Sequence, residues 1–162
     1  MLKWVFHYTI LLGDIMGKVY NKILEFNKKY TGGITWRITK HAKVVEDYLN
    51  PDEEVIYAFG AQKNDKMSEI FNTFAIVLTN KRVLLGHKRI VWGSFLYSVT
   101  PDSYNDLKIY KGLLWGKIII DTVKEEITLT NLPKSGLDEI ETTISEFMME
   151  AKKNYKDEEK EN

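Results

Sequence analysis

Residues 74–88 read Phe-Ala-Ile-Val-Leu-Thr-Asn-Lys-Arg-Val-Leu-Leu-Gly-His-Lys. Two apolar runs are separated by the four polar residues Thr79 to Arg82. A break that short between two β-like runs predicts a hairpin, with Asn80 taking the positive φ that a tight turn demands. A lone hairpin is marginal in water, so the rest of the chain has to supply a sheet around it.

The flanking sequence changes period. Before the hairpin, Ile15, Val19, Ile23, Phe26 and Tyr30 recur every three or four residues and predict a helix over 16–30. Lys18, Lys22, Lys28 and Lys29 lie off this stripe, and Thr31-Gly32-Gly33 breaks it. A second helix is predicted over 36–49, with Ile38, Ala42, Val45 and Leu49 on its apolar side and Arg37, Lys40 and Lys43 elsewhere. Asn50-Pro51 ends it, because a residue before proline avoids the helical region.

Strands are then predicted at 55–61, 71–78, 82–87, 91–99, 106–110, 116–122 and 125–129. A last amphipathic helix over 137–151 carries Leu137, Ile140, Ile144 and Phe147, with Ser135 or Gly136 as N-cap and Asp138 and Glu139 in its first turn. The fold class is therefore α+β: a seven-stranded antiparallel barrel or sandwich, capped by a C-terminal helix and preceded by two N-terminal helices. The organisation expected is a helical extension over 1–50, a barrel domain over 51–152 and a disordered polar tail over 153–162.

Composition narrows the function classes. The 162-residue chain has no cysteine, so neither disulfides nor thiolate chemistry is available. Its 23 Lys and Arg balance 23 Asp and Glu, unlike the usual basic nucleic-acid binder. The balance is uneven along the chain: residues 1–50 hold 8 Lys/Arg against 4 Asp/Glu, and residues 101–162 hold 9 against 14. No stretch reaches the roughly 18 apolar residues of a membrane-spanning helix. The apolar run 4–12 contains His7 and lacks a small-x-small cleavage site, so a cytoplasmic location is expected. Residues 1–15 read either as a short interfacial anchor or as an extension upstream of a start at Met16.

No catalytic constellation is visible. His7, His41 and His87 lack metal-ligand spacing, and there is no phosphate-cradling glycine loop, so no metal, cofactor or enzymatic activity is expected. Trp92, Phe95 and Tyr97 fall in a predicted strand and Trp115 just before another, where core or cross-strand packing is expected over a ligand pocket or base-stacking surface. The loop 62–69 offers Lys63 and Lys66 but also Asp65 and Glu69, and no arginine. The N-terminal stripes, rimmed by Lys18, Lys22, Lys28, Lys29, Arg37, Lys40 and Lys43, have the composition of helices that pack on a barrel, self-associate or lie on anionic lipid.

Four segments resemble bacterial pleckstrin-homology-like domains, with the YokE-like group the nearest. They are Leu49-Asn-Pro-Asp-Glu-Glu-Val55, Thr79-Asn-Lys-Arg-Val-Leu-Leu85, Tyr104-Asn-Asp-Leu-Lys-Ile109 and Gly112-Leu-Leu-Trp-Gly-Lys-Ile-Ile-Ile120. The resemblance spans about residues 50–152 and implies a pleckstrin-homology-like barrel with a non-enzymatic binding or scaffolding role. The basic K-x(n)-[K/R]-x-R pattern of phosphoinositide binders is missing from the first hairpin loop, so that specificity is not implied. Arg82 recurs in the family hairpin and reads as structural. The expected partner is another protein or a second copy of the chain; the alternative is peripheral attachment to an anionic membrane through the basic N-terminal helices.

Overall fold

A computed structural model of the chain describes residues 17–63 and 72–161, with side chains described to residue 154. The expectations for residues 1–16, for Lys66 and for a strand start at Phe71 lie outside the described residues. Two helices come first, α1 Lys18–Lys29 and α2 Ile38–Glu46. Seven strands follow: β1 Val55–Lys63, β2 Thr73–Thr79, β3 Val83–Lys88, β4 Ser94–Val99, β5 Tyr104–Lys111, β6 Trp115–Thr122 and β7 Glu126–Pro133. A 3-10 turn, Lys134–Gly136, leads into α3 Leu137–Glu161.

The strands form one antiparallel sheet in the order β4-β3-β2-β1-β7-β6-β5, curled into a half-barrel. Its concave side holds the main core. Leu137, Ile140, Ile144 and Met148 of α3 enter it and meet Phe59, Ile76, Leu85 and Ile118. The helix starts close against β6: a Cβ at Gly116 would lie 2.3 Å from Leu137 Cδ1.

A second core lies on the convex side. Val19 and Ile23 of α1, with Ile38, Ala42 and Val45 of α2, cover Ala58, Ala75, Val77 and Leu84. This explains why the central hairpin reads as unbroken apolar runs. Phe74, Ile76 and Leu78 face inward while Ala75 and Val77 face the helices, and all of β2 is buried. The outward residues are small where the helix is nearest. A Cβ at Gly86 would stand 2.5 Å from Val45 Cγ2 and 3.0 Å from the His41 carbonyl oxygen.

The helix α1 also fills a split in the sheet. β1 pairs with β2 from Val55 to Gln62, but with β7 only at Gln62 and Lys63. Phe26 enters this opening and packs its ring 5.6 Å from Phe59 and 5.9 Å from Tyr57. Tyr30 donates a 2.7 Å hydrogen bond to Glu139 of α3, which Lys29 also pairs with.

Four local expectations are corrected. Asn80 does not take a positive φ; among non-glycine residues only Arg37 and Asn131 do so in the described chain. The turn closes instead through Thr79, whose hydroxyl accepts from the Lys81 and Arg82 amides, while Asn80 Oδ1 accepts from the Glu54 amide at 2.9 Å. The strand expected from 91 begins at Ser94, because Gly93 turns the chain at φ 87 with the Arg89 amide donating to its carbonyl at 3.2 Å. The helix expected from 36 starts at Ile38, after the left-handed Arg37. Finally, the helix expected over 137–151 runs on to Glu161, as the Lys and Glu of its last turns, good helix formers, allow.

Candidate interaction surface

The basic residues singled out in the sequence fall into three groups. Lys22 pairs with Glu25 at 2.9 Å, Lys29 with Glu139 and Lys43 with Asp47, so these cations are partly neutralised on the surface. Lys63 is buried: its ammonium sits 4.5 Å from the Tyr97 ring centroid and 4.0 Å from Glu125. Lys18, Lys28 and Lys40 are exposed. The apolar stripes of both helices face the sheet, so they are not offered to solvent.

Arg37, Lys40 and Lys43 converge with residues the sequence reading left out. They line one side of a groove of about 770 Å³ whose other side is Lys88, Arg89, Ile90 and Val91 of the β3–β4 turn. The Arg37 guanidinium donates to the Arg89 carbonyl at 3.0 Å and lies over the Trp36 ring at 5.4 Å. Five cations thus face two carboxylates, Glu46 and Asp47, and Asp47 is already paired with Lys43.

The turn itself projects apolar side chains. Val91 is 82% exposed and Trp92 81%, against the expectation of a core position for Trp92. A second tip, at the β5–β6 turn, leaves Leu113 92% exposed and Trp115 48%. The tell-tale in both sequences is a glycine beside the aromatic, Trp92-Gly93 and Trp115-Gly116, which the strand pattern hid. Phe95 and Tyr97 do pack across strands, with Phe95 near His87 and Tyr97 near Phe74.

The strand β4 forms one edge of the sheet. Its sequence, Ser-Phe-Leu-Tyr-Ser-Val, has no charge and no proline, whereas the opposite edge β5 carries Asp106, Lys108 and Lys111 and packs against α3. Among the described residues, the only backbone bonds of β4 run to β3.

Two buried polar clusters are structural. Glu53 accepts from Arg82 Nε at 2.9 Å and Nη2 at 3.0 Å, and from the Thr79 hydroxyl at 2.8 Å, locking the β2–β3 turn to the segment before β1. Burial alone would raise its carboxyl, but these bonds and the Asn50 amide outweigh it and hold the pKa at about 2. His41 and His87 stack at 5.0 Å between α2 and β3. His41 Nδ1 accepts from the Lys88 amide at 2.9 Å, so its proton sits on Nε2, which has no partner among the described residues. Burial, with the charges of His87 and Arg37, pushes the His41 pKa down to about 4. The described residues hold no cluster of His, Cys, Asp or Glu that suits a metal, and no described helix is long and apolar enough to cross a membrane.

A half-barrel of seven antiparallel strands capped by a C-terminal helix defines the pleckstrin-homology architecture. The chain belongs to the bacterial PH domain family, whose model matches residues 49–146. Such domains generally mediate binding or scaffolding and are typically non-catalytic. Among solved structures, it is similar to a protein with a pleckstrin-homology domain from Shewanella loihica, at 15% identity and a TM-score of 0.45, covering 75% of this chain and 96% of that one. A pleckstrin-homology domain from Shewanella amazonensis is similar at 18% identity and a TM-score of 0.45, over 69% of this chain and 88% of that one. No curated protein matches the chain. The helices α1 and α2 lie outside the matched family residues.

Proposed function

We propose that this chain is a non-enzymatic scaffolding module of the cytoplasm that works through protein contact, and that its first partner is a second copy of itself, joined along β4. Within the bacterial family we place it with the YokE-like members, on the four segments it shares with them. The observation that carries the reading is the uncharged edge of β4. Exposed edges present unpaired N–H and C=O groups, and proteins that stay monomeric usually blunt them with charge or proline. Two antiparallel β4 strands around a two-fold axis would satisfy each other's backbone and extend the sheet. The alternative, attachment of the N-terminal helices to anionic lipid, draws support from exposed Lys18, Lys28 and Lys40. It is less favoured because the sheet already occupies the apolar stripes of those helices.

The test is sedimentation velocity of the full chain over a range of concentrations. A concentration-dependent dimer that persists in high salt is expected. Ser94→Glu and Ser98→Glu put carboxylates on the edge beside Lys88 and Arg82, so the fold should survive while like charges meet across the two-fold axis. The double variant should sediment as a monomer with an unchanged circular dichroism spectrum. A wild-type chain that stays monomeric throughout sinks the self-association reading.

A further inference from the structure

We infer that the basic β3–β4 tip of one copy receives the acidic β4–β5 turn of a second copy, so that opposite charges close both ends of a two-fold interface. The inference rests on the β4 pairing proposed above and adds the groups that flank the paired strands. Three observations carry it. First, the end of β4 at Ser94 is basic. Lys88 and Arg89 stand at the base of the tip, with Arg37, Lys40 and Lys43 across the groove, and together they outnumber Glu46 and Asp47. Arg89 lies against the edge strand itself, its guanidinium 4.1 Å from the centre of the Phe95 ring. Second, the end of β4 at Val99 is acidic. The turn 100–103 follows it and carries the exposed Asp102. The Val123 amide donates to the Ser103 carbonyl at 2.9 Å, which brings the β6–β7 turn and Glu125 alongside. Of the cations at this end, Arg82 is held by Glu53, and the Lys152 ammonium donates to the Tyr104 carbonyl. Third, Ile90, Val91 and Trp92 are consecutive exposed apolar residues at the basic end, and Val123 is exposed at the acidic one.

Symmetry brings the unlike ends together. Two β4 strands paired antiparallel about their middle set Ser94 of each opposite Val99 of the other. Within each copy Lys88 is the cross-strand neighbour of Ser94. The turn that follows Val99 therefore runs on past Ser94 to the tip of the other copy, and Asp102 meets Lys88 and Arg89. The two-fold axis repeats the contact at the far end. A parallel pairing would set basic end against basic end, so the charges select the antiparallel one. They also select a second copy as the occupant. The chain is balanced overall, 23 Lys and Arg against 23 Asp and Glu, yet each end of β4 carries an excess that the other end complements. The flanking contacts answer a question of area as well. A six-residue strand is a strip about 20 Å long, too narrow by itself for the roughly 1,200 Å² that specific interfaces bury at least. The tip and the turn, each used twice, widen it and cover Val91 and Trp92.

The experiment is charge reversal read by sedimentation velocity of the full chain at low salt. Arg89→Glu and Asp102→Lys should each weaken the dimer about tenfold, since each places like charges at both ends of the interface. Carried together in one chain, they should restore it. Mixing the two single variants is the sharper arm. In the mixed dimer Glu meets Lys at one end and Arg meets Asp at the other, so it should form in preference to either parent dimer, an effect that a folding defect cannot produce. Added salt should narrow these differences. Trp92→Ser should weaken the dimer, and Leu113→Ser with Leu114→Ser, at the other tip, should leave it unchanged. A dimer that Ser94→Glu/Ser98→Glu dissolves but that neither charge reversal weakens would overturn this inference and leave the β4 reading standing. So would two single variants that fail to restore each other on mixing. A wild-type chain that is monomeric throughout would remove both.

Discussion

At the residue scale, buried polar groups govern how the fold responds to pH. His41 stays neutral in the folded protein down to about pH 4, while an unfolded histidine protonates near 6.5. The unfolded chain therefore takes up the proton first. The stabilising effect is fully present above about pH 6.5 and is lost as the pH falls toward 4, with an expected cost of about 3 kcal/mol at the low end. Urea denaturation at neutral pH and near pH 4.5 measures it, and His41→Gln should flatten the dependence across that window. An unchanged slope in the variant would assign the effect elsewhere. Glu53 acts lower, since its contribution is lost only between about 4.5 and 2. The structural role of Arg82 was legible in the sequence through the recurring hairpin motif. Glu53 stood in the first of the recurring segments, but its pairing with Arg82 was not legible, because a carboxylate 29 positions away gives no local pattern.

At the element scale, helices and strands followed their hydrophobic periods, and the errors sit at ends where a single backbone angle decides. Gly93 and Arg37, both at positive φ, moved two boundaries and so exposed Trp92 and Trp36. The unbroken apolar run of β2 has its cause in the layer above it, since α1 and α2 bury the face that would otherwise be polar. The approach of α2 depends on Gly86. Gly86→Val should push α2 off β3 and cost about 2 kcal/mol by overpacking. Amide hydrogen exchange should then speed up in α2 while α3 stays protected. Equal loss of protection in both helices would mean that the sheet itself had failed.

At the scale of the whole molecule, the N-terminal helices and the half-barrel share their cores. Phe26 reaches the inner cluster through the gap between β1 and β7, and Tyr30 and Lys29 bind Glu139 of the C-terminal helix. Removal of residues 1–50 is therefore expected to leave Ala75, Val77 and Leu84 bare and to give an aggregating or unfolded product by gel filtration and circular dichroism. A stable, monomeric barrel over 51–162 would show that the two parts are separable domains. The sequence alone determined the element order, the antiparallel character of the sheet and the capping helix, because hydrophobic period and turn chemistry are local properties written residue by residue. It also marked Arg37, Lys40 and Lys43 as a basic set. Only the tertiary structure decided that the helical stripes face the sheet, that Lys63 is buried, and that those three cations meet Lys88, Arg89 and an exposed Val91. Those facts depend on which surfaces the curled sheet brings together, and residues some 50 positions apart carry no mark of their meeting in the chain itself.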